Sequence, residues 1–297
     1  MKKFTFIMTV AVLALLSAAC QEKQEENKVT QVIAHRGYWK CDGSAQNSIA
    51  SIRKAGEIGV YGSEFAVSLT SDDVLVVNHD DTFYGYEIAE TPFEVIKDSL
   101  LANGETLPTL ASYLEAAQDY PDMKLIFELK SSKGDTLYEA RALPLVVDML
   151  KEYGVAERTE FISFSITACT EFAKMMPDNI VEYLGSDFTP TQLHEMGITG
   201  IDFIHTLFAE HPEYVEEAHN LGMVVNVWTV NKEEDIQRML ELGVDYITTN
   251  KPLLVAEMIE KFNNPVEEVA EEATEAVEEA PATETAEAAP ATEEATK

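Results

Sequence analysis

The sequence predicts an α/β fold: a closed (β/α)8 TIM barrel with a small insertion after the hairpin of the second strand. Eight short runs rich in apolar and β-branched residues alternate with segments of helical periodicity between Thr30 and Phe262. Glycines such as Gly59, Gly154 and Gly222 end several of the helical segments. The alternative, an open doubly wound sheet, is disfavoured because no glycine-rich loop follows the first strand.

The predicted strands and helices follow one another in a regular order. The eight strands fall at residues 31–35, 60–67, 124–130, 160–165, 180–184, 200–204, 223–230 and 245–249. A ninth run, at residues 74–78, is expected to return beside the second strand. The helices fall at residues 48–58, 137–153, 167–176, 191–196, 211–221, 232–242 and 252–262. In a barrel of this kind, the C-terminal ends of the strands carry the functional residues.

Residues 80–108 interrupt the alternation of strand and helix. The segment is too long for a tight turn and contains the aromatic residues Phe83, Tyr84, Tyr86 and Phe93. An insertion at the C-terminal mouth of a barrel usually shapes a substrate pocket, and we expect that here. The alternative is a surface loop that packs its own aromatic side chains together.

Residues 1–20 have the features of a bacterial lipoprotein signal peptide. Lys2 and Lys3 precede an apolar stretch at residues 4–16, and small residues follow it. The sequence LSAAC at residues 16–20 resembles a lipoprotein processing box, which predicts that Cys20 is lipidated. The polar residues 21–30 then form a tether. We therefore expect a lipid-anchored protein of the bacterial cell envelope, periplasmic or surface-exposed; the alternative is a cleaved secretion signal without lipid.

Residues 263–297 are predicted to form a disordered acidic tail, which leaves residues 31–262 as the barrel domain. From Asn264 to Lys297 there are eleven Glu and one Lys, a net charge of -10, and no apolar side chain is larger than Val. The alternative is a short fraying helix. The formal net charge of the whole chain, -32, argues against nucleic acid as a partner.

Ionisable residues are concentrated at the predicted C-terminal ends of the strands. They are His35 and Arg36 after the first strand, Glu64 on the second, His79 after the returning strand, and Glu128 and Lys130 on the third, while Trp228 lies at the end of the seventh. Side chains alternate along a strand, so Glu64 shares a face with Ala66 and Glu128 shares one with Lys130. The ionisable groups are therefore expected to converge on one barrel mouth.

This set of groups suits the cleavage of a phosphate ester. Glu64 and Glu128 offer the carboxylate oxygens that hard divalent cations such as Mg²⁺ or Ca²⁺ prefer. Arg36, as a bidentate fork, and Lys130, as a point charge, can stabilise charge on phosphoryl oxygens. Two histidines can divide the roles of general acid and general base, because the pKa of histidine lies near neutral pH.

The same residues resemble a known family, the glycerophosphodiester phosphodiesterases. The matching motifs are AHRG at 34–37, QNS at 46–48, SEFAVSLTSDDVLVVNHD at 63–80, FELK at 127–130, VWTVN at 227–231 and ITTNKP at 247–252. The resemblance covers roughly residues 31–255 in the order and spacing of the family. It implies a barrel enzyme, dependent on a divalent cation (Ca²⁺ or Mg²⁺), that hydrolyses small glycerophosphodiesters to glycerol 3-phosphate and an alcohol.

The resemblance also implies roles for individual residues. His35 and His79 correspond to the acid/base pair. Arg36 and Lys130 correspond to phosphate contacts, and Trp228 is expected to face the substrate. Glu64 and Glu128 correspond to metal ligands, and residues 80–108 correspond to the small cap over the pocket.

The sequence departs from the family pattern at two positions. Ala66 stands where the second strand of the family carries an Asp metal ligand, and Gln46 stands where Glu is common. Both changes make the site less anionic, so we expect an intact fold with reduced or lost catalysis. Two alternatives remain: a catalytically weakened or inactive relative that binds phosphorylated ligands, and a phosphodiesterase that acts on another lipid or polymer diester.

Overall fold

The computed structural model describes residues 29–132 and 137–265. The predicted signal peptide with Cys20, the tether as far as residue 28, and the acidic tail from residue 266 lie outside the described residues. The chain divides into two compact units, Met1–Asn263 and Asn264–Lys297, and the elements given below belong to the first. Among the helices of the described residues, none is long and apolar enough to cross a membrane.

The described residues form a closed barrel of parallel strands. In chain order, the strands are β1 (Gln31–Ala34), β2 (Gly62–Leu69), β3 (Leu75–Val77), β4 (Thr82–Phe83), β5 (Tyr86–Glu87), β6 (Lys124–Leu129), β7 (Thr159–Ser163), β8 (Val181–Tyr183), β9 (Gly200–Ile204), β10 (Val224–Trp228) and β11 (Tyr246–Thr249). The sheet runs β1-β11-β10-β9-β8-β7-β6-β2, and parallel pairing of β1 with β2 closes it. The predicted (β/α)8 barrel is confirmed.

The predicted hairpin of the second strand is also present. β3 pairs antiparallel with β2, with Val67 opposite Val77 and Leu69 opposite Leu75. The backbone N–H of Asn78 donates to the carbonyl of Ala66 at 3.0 Å, which continues this pairing one residue beyond β3. The hairpin therefore directs the segment after β3, which carries His79, back to the C-terminal end of the barrel.

Helices connect most of the strands and cover the outside of the barrel. They are α1 (Ile49–Glu57), α2 (Phe93–Ile96), α3 (Leu110–Ala117), α4 (Tyr138–Glu152), α5 (Ile166–Met175), α6 (Pro190–Glu195), α7 (His205–Glu210), α8 (Glu213–Asn220), α9 (Glu233–Leu242) and α10 (Pro252–Asn263). The sequence pattern predicts seven of them and does not predict α2, α3 or α7. α3 buries Leu110, Tyr113 and Leu114 together with two alanines, so it lacks a clear polar stripe that would mark it as a surface helix.

The insertion before α3 has its own small apolar core. The strands β4 and β5 form a short antiparallel hairpin, and Phe83, Ile88 and Leu107 pack together with Val76 of β3. The Glu105 carboxylate accepts hydrogen bonds from the first backbone N–H groups of α1, with Oε2 2.8 Å from the Ile49 nitrogen. A carboxylate at a helix N-terminus satisfies N–H groups that have no partner within the helix. The insertion is therefore tied to the barrel at the start of α1.

Apolar packing lies mainly between the strands and the surrounding helices. Inside the barrel, the buried apolar cluster is small and consists of Ile33, Ile126, Ile162, Leu184 and Tyr246. Many of the remaining inward positions carry polar side chains, among them Glu160, Glu182, Asp202 and Asn226. The barrel interior therefore contains both apolar and polar side chains, and the candidate site lies at the C-terminal ends of its strands.

Candidate active site

The turn after β1 brings His35 and Arg36 to the mouth of the barrel. Arg36 and Gly37 both have left-handed backbone angles, with φ of 58° and 73°. A side chain at position 37 would place its Cβ 2.4 Å from Ser51 Oγ, so only glycine fits. The backbone N–H of Arg36 donates to Glu64 Oε2 at 2.6 Å, which holds the strained turn against β2. The HRG motif is thus a consequence of this turn.

The guanidinium group of Arg36 joins the two histidines. Its Nε donates to His35 Nε2 at 3.3 Å, and its Nη2 donates to His79 Nε2 at 2.8 Å. Its Nη1 donates to the side-chain oxygen of Gln46. Within the described part of the chain, no carboxylate lies within ion-pair distance of this guanidinium, although its charge acts on the nearby Glu64 carboxylate. The positively charged guanidinium of Arg36 therefore lies between the two imidazoles and faces the barrel mouth.

The protonation state of His35 follows from its neighbours. Asn250 Oδ1 accepts a hydrogen bond from Trp39 Nε1 at 3.0 Å, and His35 Nδ1 lies 2.9 Å from the same oxygen. An amide oxygen can only accept, so His35 Nδ1 carries the hydrogen and Nε2 is left as a proton acceptor. Burial, and after it the charge of Arg36, lower the pKa of His35 to about 4. His35 is therefore a neutral base at pH 7.

His79 is held in the same tautomer by a different partner. Its Nδ1 lies 2.7 Å from Asp80 Oδ1, and a carboxylate oxygen accepts, so the hydrogen is on Nδ1 and Nε2 is free to accept from Arg36. Burial lowers the pKa of His79 below its usual value, the charge of Lys130 lowers it further, and the Asp80 carboxylate raises it. His79 is therefore hydrogen-bonded to a carboxylate that stabilises its protonated form, whereas the nearest carboxylate oxygen to His35 among the described residues, Glu64 Oε2, is 4.0 Å from Nε2.

Glu64 and Glu128 lie on the inner face of the barrel, where the sequence analysis places them. Both are buried, and burial raises the pKa of each carboxyl group. Glu64 accepts from the Arg36 backbone through Oε2, and Glu128 Oε1 lies 2.8 Å from Lys130 Nζ. The remaining oxygen of each carboxylate accepts no hydrogen bond from the described chain, so two oxygens are available to a ligand.

Ala66 occupies the inward position next to Glu64 toward the strand end. It is fully buried and pairs in register with Glu128 on β6. Its backbone N–H donates to Asn47 Oδ1 at 3.3 Å, but its methyl group offers no oxygen to a cation. Two buried carboxylates suit a hard divalent cation that keeps part of its hydration shell, as Mg²⁺ does. Among residues 29–132 and 137–265, however, no three His, Cys, Asp or Glu side chains form a ready ligand cluster.

Trp228 lies at the end of β10, as predicted, with its ring half-buried. Its indole N–H donates to the backbone carbonyl of Asp202 at 2.9 Å, and its ring meets Phe164 edge to face with centroids 5.6 Å apart. The N–H group is therefore already used, and only the ring is available to a ligand. A substrate contact by Trp228 stays a prediction.

The insertion contributes to a cavity of about 620 Å³ at this end of the barrel. Thr82 and Ile88 of the insertion line it on one side. On the other side it is lined by Ser68 near the end of β2 and by Ser131, which follows Lys130 in the chain. The insertion and the strand ends thus enclose a cavity whose lining includes none of the predicted site residues, so a role of the insertion in shaping the substrate pocket stays a prediction.

The structure adds residues to the site that the sequence analysis does not assign. Asn250 orients His35, and Asp80 orients His79. Asn250 lies inside the TNKP motif, and its position after the last strand could have identified it. Asp202 is a buried acidic residue on β9. Its position in the middle of an otherwise apolar strand could have identified it from the sequence.

Comparisons with known proteins identify the family of this chain. The sequence model of the glycerophosphoryl diester phosphodiesterase family matches residues 35–254. A glycerophosphodiester phosphodiesterase of Caldanaerobacter subterraneus is 32% identical over 245 residues, which cover 78% of this chain and 98% of that protein. A glycerophosphodiester phosphodiesterase of known crystal structure from Parabacteroides distasonis is 44% identical, with a TM-score of 0.77, over 79% of this chain and 98% of that chain.

A third relative carries a ligand. The structure of a phosphodiesterase from Oleispira antarctica, in complex with the product sn-glycerol-3-phosphate, is 26% identical with a TM-score of 0.67. The match covers 78% of this chain and 97% of that one. On the family match and the similarity of the relatives, this chain belongs to the glycerophosphoryl diester phosphodiesterase family.

Proposed function

We propose that this chain hydrolyses small glycerophosphodiesters to glycerol 3-phosphate and an alcohol, with a divalent cation, Ca²⁺ or Mg²⁺, held by Glu64 and Glu128. One observation carries the proposal: the Arg36 guanidinium lies within hydrogen-bond distance of two imidazole nitrogens that can accept protons. Family membership supports the reaction class, and the relative that binds sn-glycerol-3-phosphate supports the product.

Arg36 and Lys130 bind and orient the phosphoryl group in this proposal. Arg36 offers fixed N–H donors in a plane, and Lys130 adds a point charge from the neighbouring strand. A bound divalent cation would supply further charge stabilisation on the phosphoryl oxygens. Because the site is largely buried, these positive groups act at low effective dielectric and stabilise negative charge more strongly than they would in water.

The two histidines divide the proton transfers. His35 is neutral and has an unprotonated Nε2 facing the site, so it takes the proton from the attacking hydroxyl group. His79 must first take up a proton on Nε2; Asp80 stabilises that protonated form, which then gives the proton to the leaving alcohol. The attacking group is either water, which gives glycerol 3-phosphate directly, or the substrate's own glycerol hydroxyl, which gives a cyclic phosphate that water then opens.

The direct test is release of glycerol 3-phosphate from glycerophosphocholine by the purified chain, with Ca²⁺, Mg²⁺ and a chelator in parallel. We expect release that requires one of the cations and stops with the chelator. No release under any of these conditions would contradict the proposed activity, and equal release with the chelator would contradict the dependence on a cation.

Replacing Asp80 with Asn should change the pH dependence of the reaction. The Asp80 carboxylate raises the pKa of His79, so its removal lowers that pKa. The limb of the pH profile of kcat/KM that reports His79 should move to lower pH, and the limb that reports His35 should stay in place. Asp81→Asn, which changes the adjacent acid, is the matched control, and an unchanged profile in Asp80→Asn would argue against the role of His79.

A second function is favoured by Ala66: a weakened relative that binds phosphorylated ligands through Arg36 and Lys130. Ala66→Asp separates the two. If the natural site is an enzyme limited by cation affinity, this change should lower the cation concentration for half-maximal activity by about tenfold or more. Ala66→Asn, which has nearly the same shape and no charge, is the control. Equal rates and equal cation dependence in all three proteins would show that the missing carboxylate is irrelevant.

We also propose that Cys20 anchors the domain by lipid in the cell envelope, where small glycerophosphodiesters from membrane lipids are available. The lipoprotein-like sequence at residues 16–20 supports this. Cys20→Ala should move the protein from the membrane fraction to the soluble fraction of cells, and Cys41→Ala should not. Retention of Cys20→Ala in the membrane fraction would contradict the anchor.

A further inference from the structure

Three acidic side chains point into the barrel at or below the level of Glu64. They are Glu160 on β7, Glu182 on β8 and Asp202 on β9, and all three are buried. Asp202 is 1% exposed, and its Oδ1 accepts no hydrogen bond from the described residues. A buried carboxylate oxygen without a donor is costly, so an oxygen in this state calls for a positively charged or hydrogen-bonding ligand.

The strand register shows which of these acids lies level with the candidate cation site. In an eight-stranded barrel, each level perpendicular to the axis contains one inward side chain from every second strand. Because the strands are tilted, the residue at a given level lies two positions further along its strand than the residue found by following the pairings across two strands. The paired residues are Glu64 with Ile126 and Glu160, Ile162 with Glu182 and Gly200, Asp202 with Asn226 and Tyr246, and Thr248 with Ile33 and Gly62. The last residue of each group lies two positions before the first residue of the next group, as Glu160 does before Ile162. The last group ends at Gly62, two positions before Glu64, so the level closes on itself.

One level of the barrel therefore contains Glu64, Ile162, Asp202 and Thr248. Within it, Glu64 and Asp202 lie on opposite sides of the barrel axis, because three strands separate β2 from β9 in either direction. Glu128 pairs with Ile162 and so lies next to the same level. Asp202 thus forms the floor of the site opposite Glu64, although no hydrogen bond connects them.

The other charged groups of the site leave it without a net negative charge. The carboxylates of Glu64 and Glu128 are balanced by the side chains of Arg36 and Lys130, and both histidines hold a neutral tautomer. Without a further acid, this group has a formal charge of zero and attracts a divalent cation weakly. The number of negative ligands is a main determinant of the affinity of such sites. Ala66 supplies none.

We propose that Asp202 supplies the third negative charge of the cation site, from the floor of the barrel, in a chain whose second strand carries Ala66. The inference rests on the proposed cation dependence. Because the three carboxylates do not form a ready cluster, a change of side-chain rotamer or an intervening water completes the approach. Burial, and after it the charges of Glu64 and Glu128, raise the pKa of Asp202 well above its usual value, so a bound cation is what would stabilise its charged form.

Glu182 provides a matched comparison within the same barrel. It is fully buried, and neither of its carboxylate oxygens has a hydrogen-bond partner in the described chain. Its register places it below the level of Glu64, and the charges that raise its pKa are those of Asp202, Glu160 and Asp245 rather than those of Glu64 and Glu128. Removing the charge of Glu182 therefore shows the effect of neutralising a buried acid of the barrel, while Glu64, Glu128 and Asp202 stay unchanged.

The test is titration of the full chain with Ca²⁺ and with Mg²⁺ by calorimetry, without substrate. Asp202→Asn keeps the shape and removes the charge, and we expect it to weaken cation binding by about tenfold or more, whereas Glu182→Gln leaves the Kd within about twofold. Equal binding by Asp202→Asn and the natural chain would overturn this inference alone. No binding by the natural chain at millimolar cation would overturn the proposed cation dependence, and with it this inference.

Ala66→Asp keeps the test decisive if Asp202→Asn also loosens the fold. In the Asp202→Asn protein, Ala66→Asp should restore cation binding, and it should tighten binding more there than in the natural chain, because both residues serve the same charge. Equal gains in the two backgrounds would show that Asp202 acts independently of the cation site. Thermal unfolding without cation, measured for each variant, identifies any effect on the fold.

Discussion

Replacing His35 with Gln is expected to lower kcat on the order of 10²–10⁴-fold, the range for loss of a general acid or base. The imidazole Nε2 that faces the site disappears with it, and an amide at this position has no comparable basicity. Its Nδ1 partner, Asn250, is a neutral acceptor, so the substitution leaves no buried charge without compensation. KM should change much less than kcat, because phosphate binding by Arg36 and Lys130 remains.

The matched control is His211→Gln. His211 is half-exposed and pairs with Glu213 at the start of α8, away from the strand ends. Both proteins are compared by steady-state kinetics with glycerophosphocholine and by thermal unfolding. A His35→Gln protein with kcat within about threefold of the natural chain and an unchanged unfolding temperature would show that His35 is not a proton-transfer group.

Much of the fold could be predicted because strand and helix have different apolar periods. The inward positions of β2 and β6 alternate with outward ones, so Glu64 and Glu128 could be assigned to the pocket before the structure was known. The order of the elements then defined the barrel, because parallel strands joined by helices close most simply into one. The residues at the strand ends followed from the same rule.

The relations between side chains could not be predicted from local pattern. Asp202 and Glu64 are far apart in the chain and on strands that do not touch, and only the register of the complete barrel puts them on one level. The role of Asn250 likewise depends on closure, since β11 and β1 become neighbours only when the barrel forms. Such relations require the coordinates of the whole sheet.

Arg36→Lys is expected to lower kcat/KM by about 10²–10³-fold, the cost of losing one fixed donor at a site of developing charge. The change keeps the positive charge and a long side chain. It removes the planar group whose three nitrogens donate to His35, Gln46 and His79 at the same time. An ammonium group cannot reach all three, so the imidazoles lose their common partner and the phosphate loses a bidentate contact.

Arg238→Lys is the control, because Arg238 lies on α9 and its partner is Asp235 one turn earlier on the same helix. Steady-state kinetics and thermal unfolding of both variants distinguish the two possible roles of Arg36. If Arg36 acts only as a positive charge, Arg36→Lys retains most of the activity, and the geometric account of the site is wrong. If the fork itself orders the two histidines, then the rate falls while the unfolding temperature stays close to that of the natural chain, because Lys and Arg adopt the left-handed backbone at position 36 with similar strain.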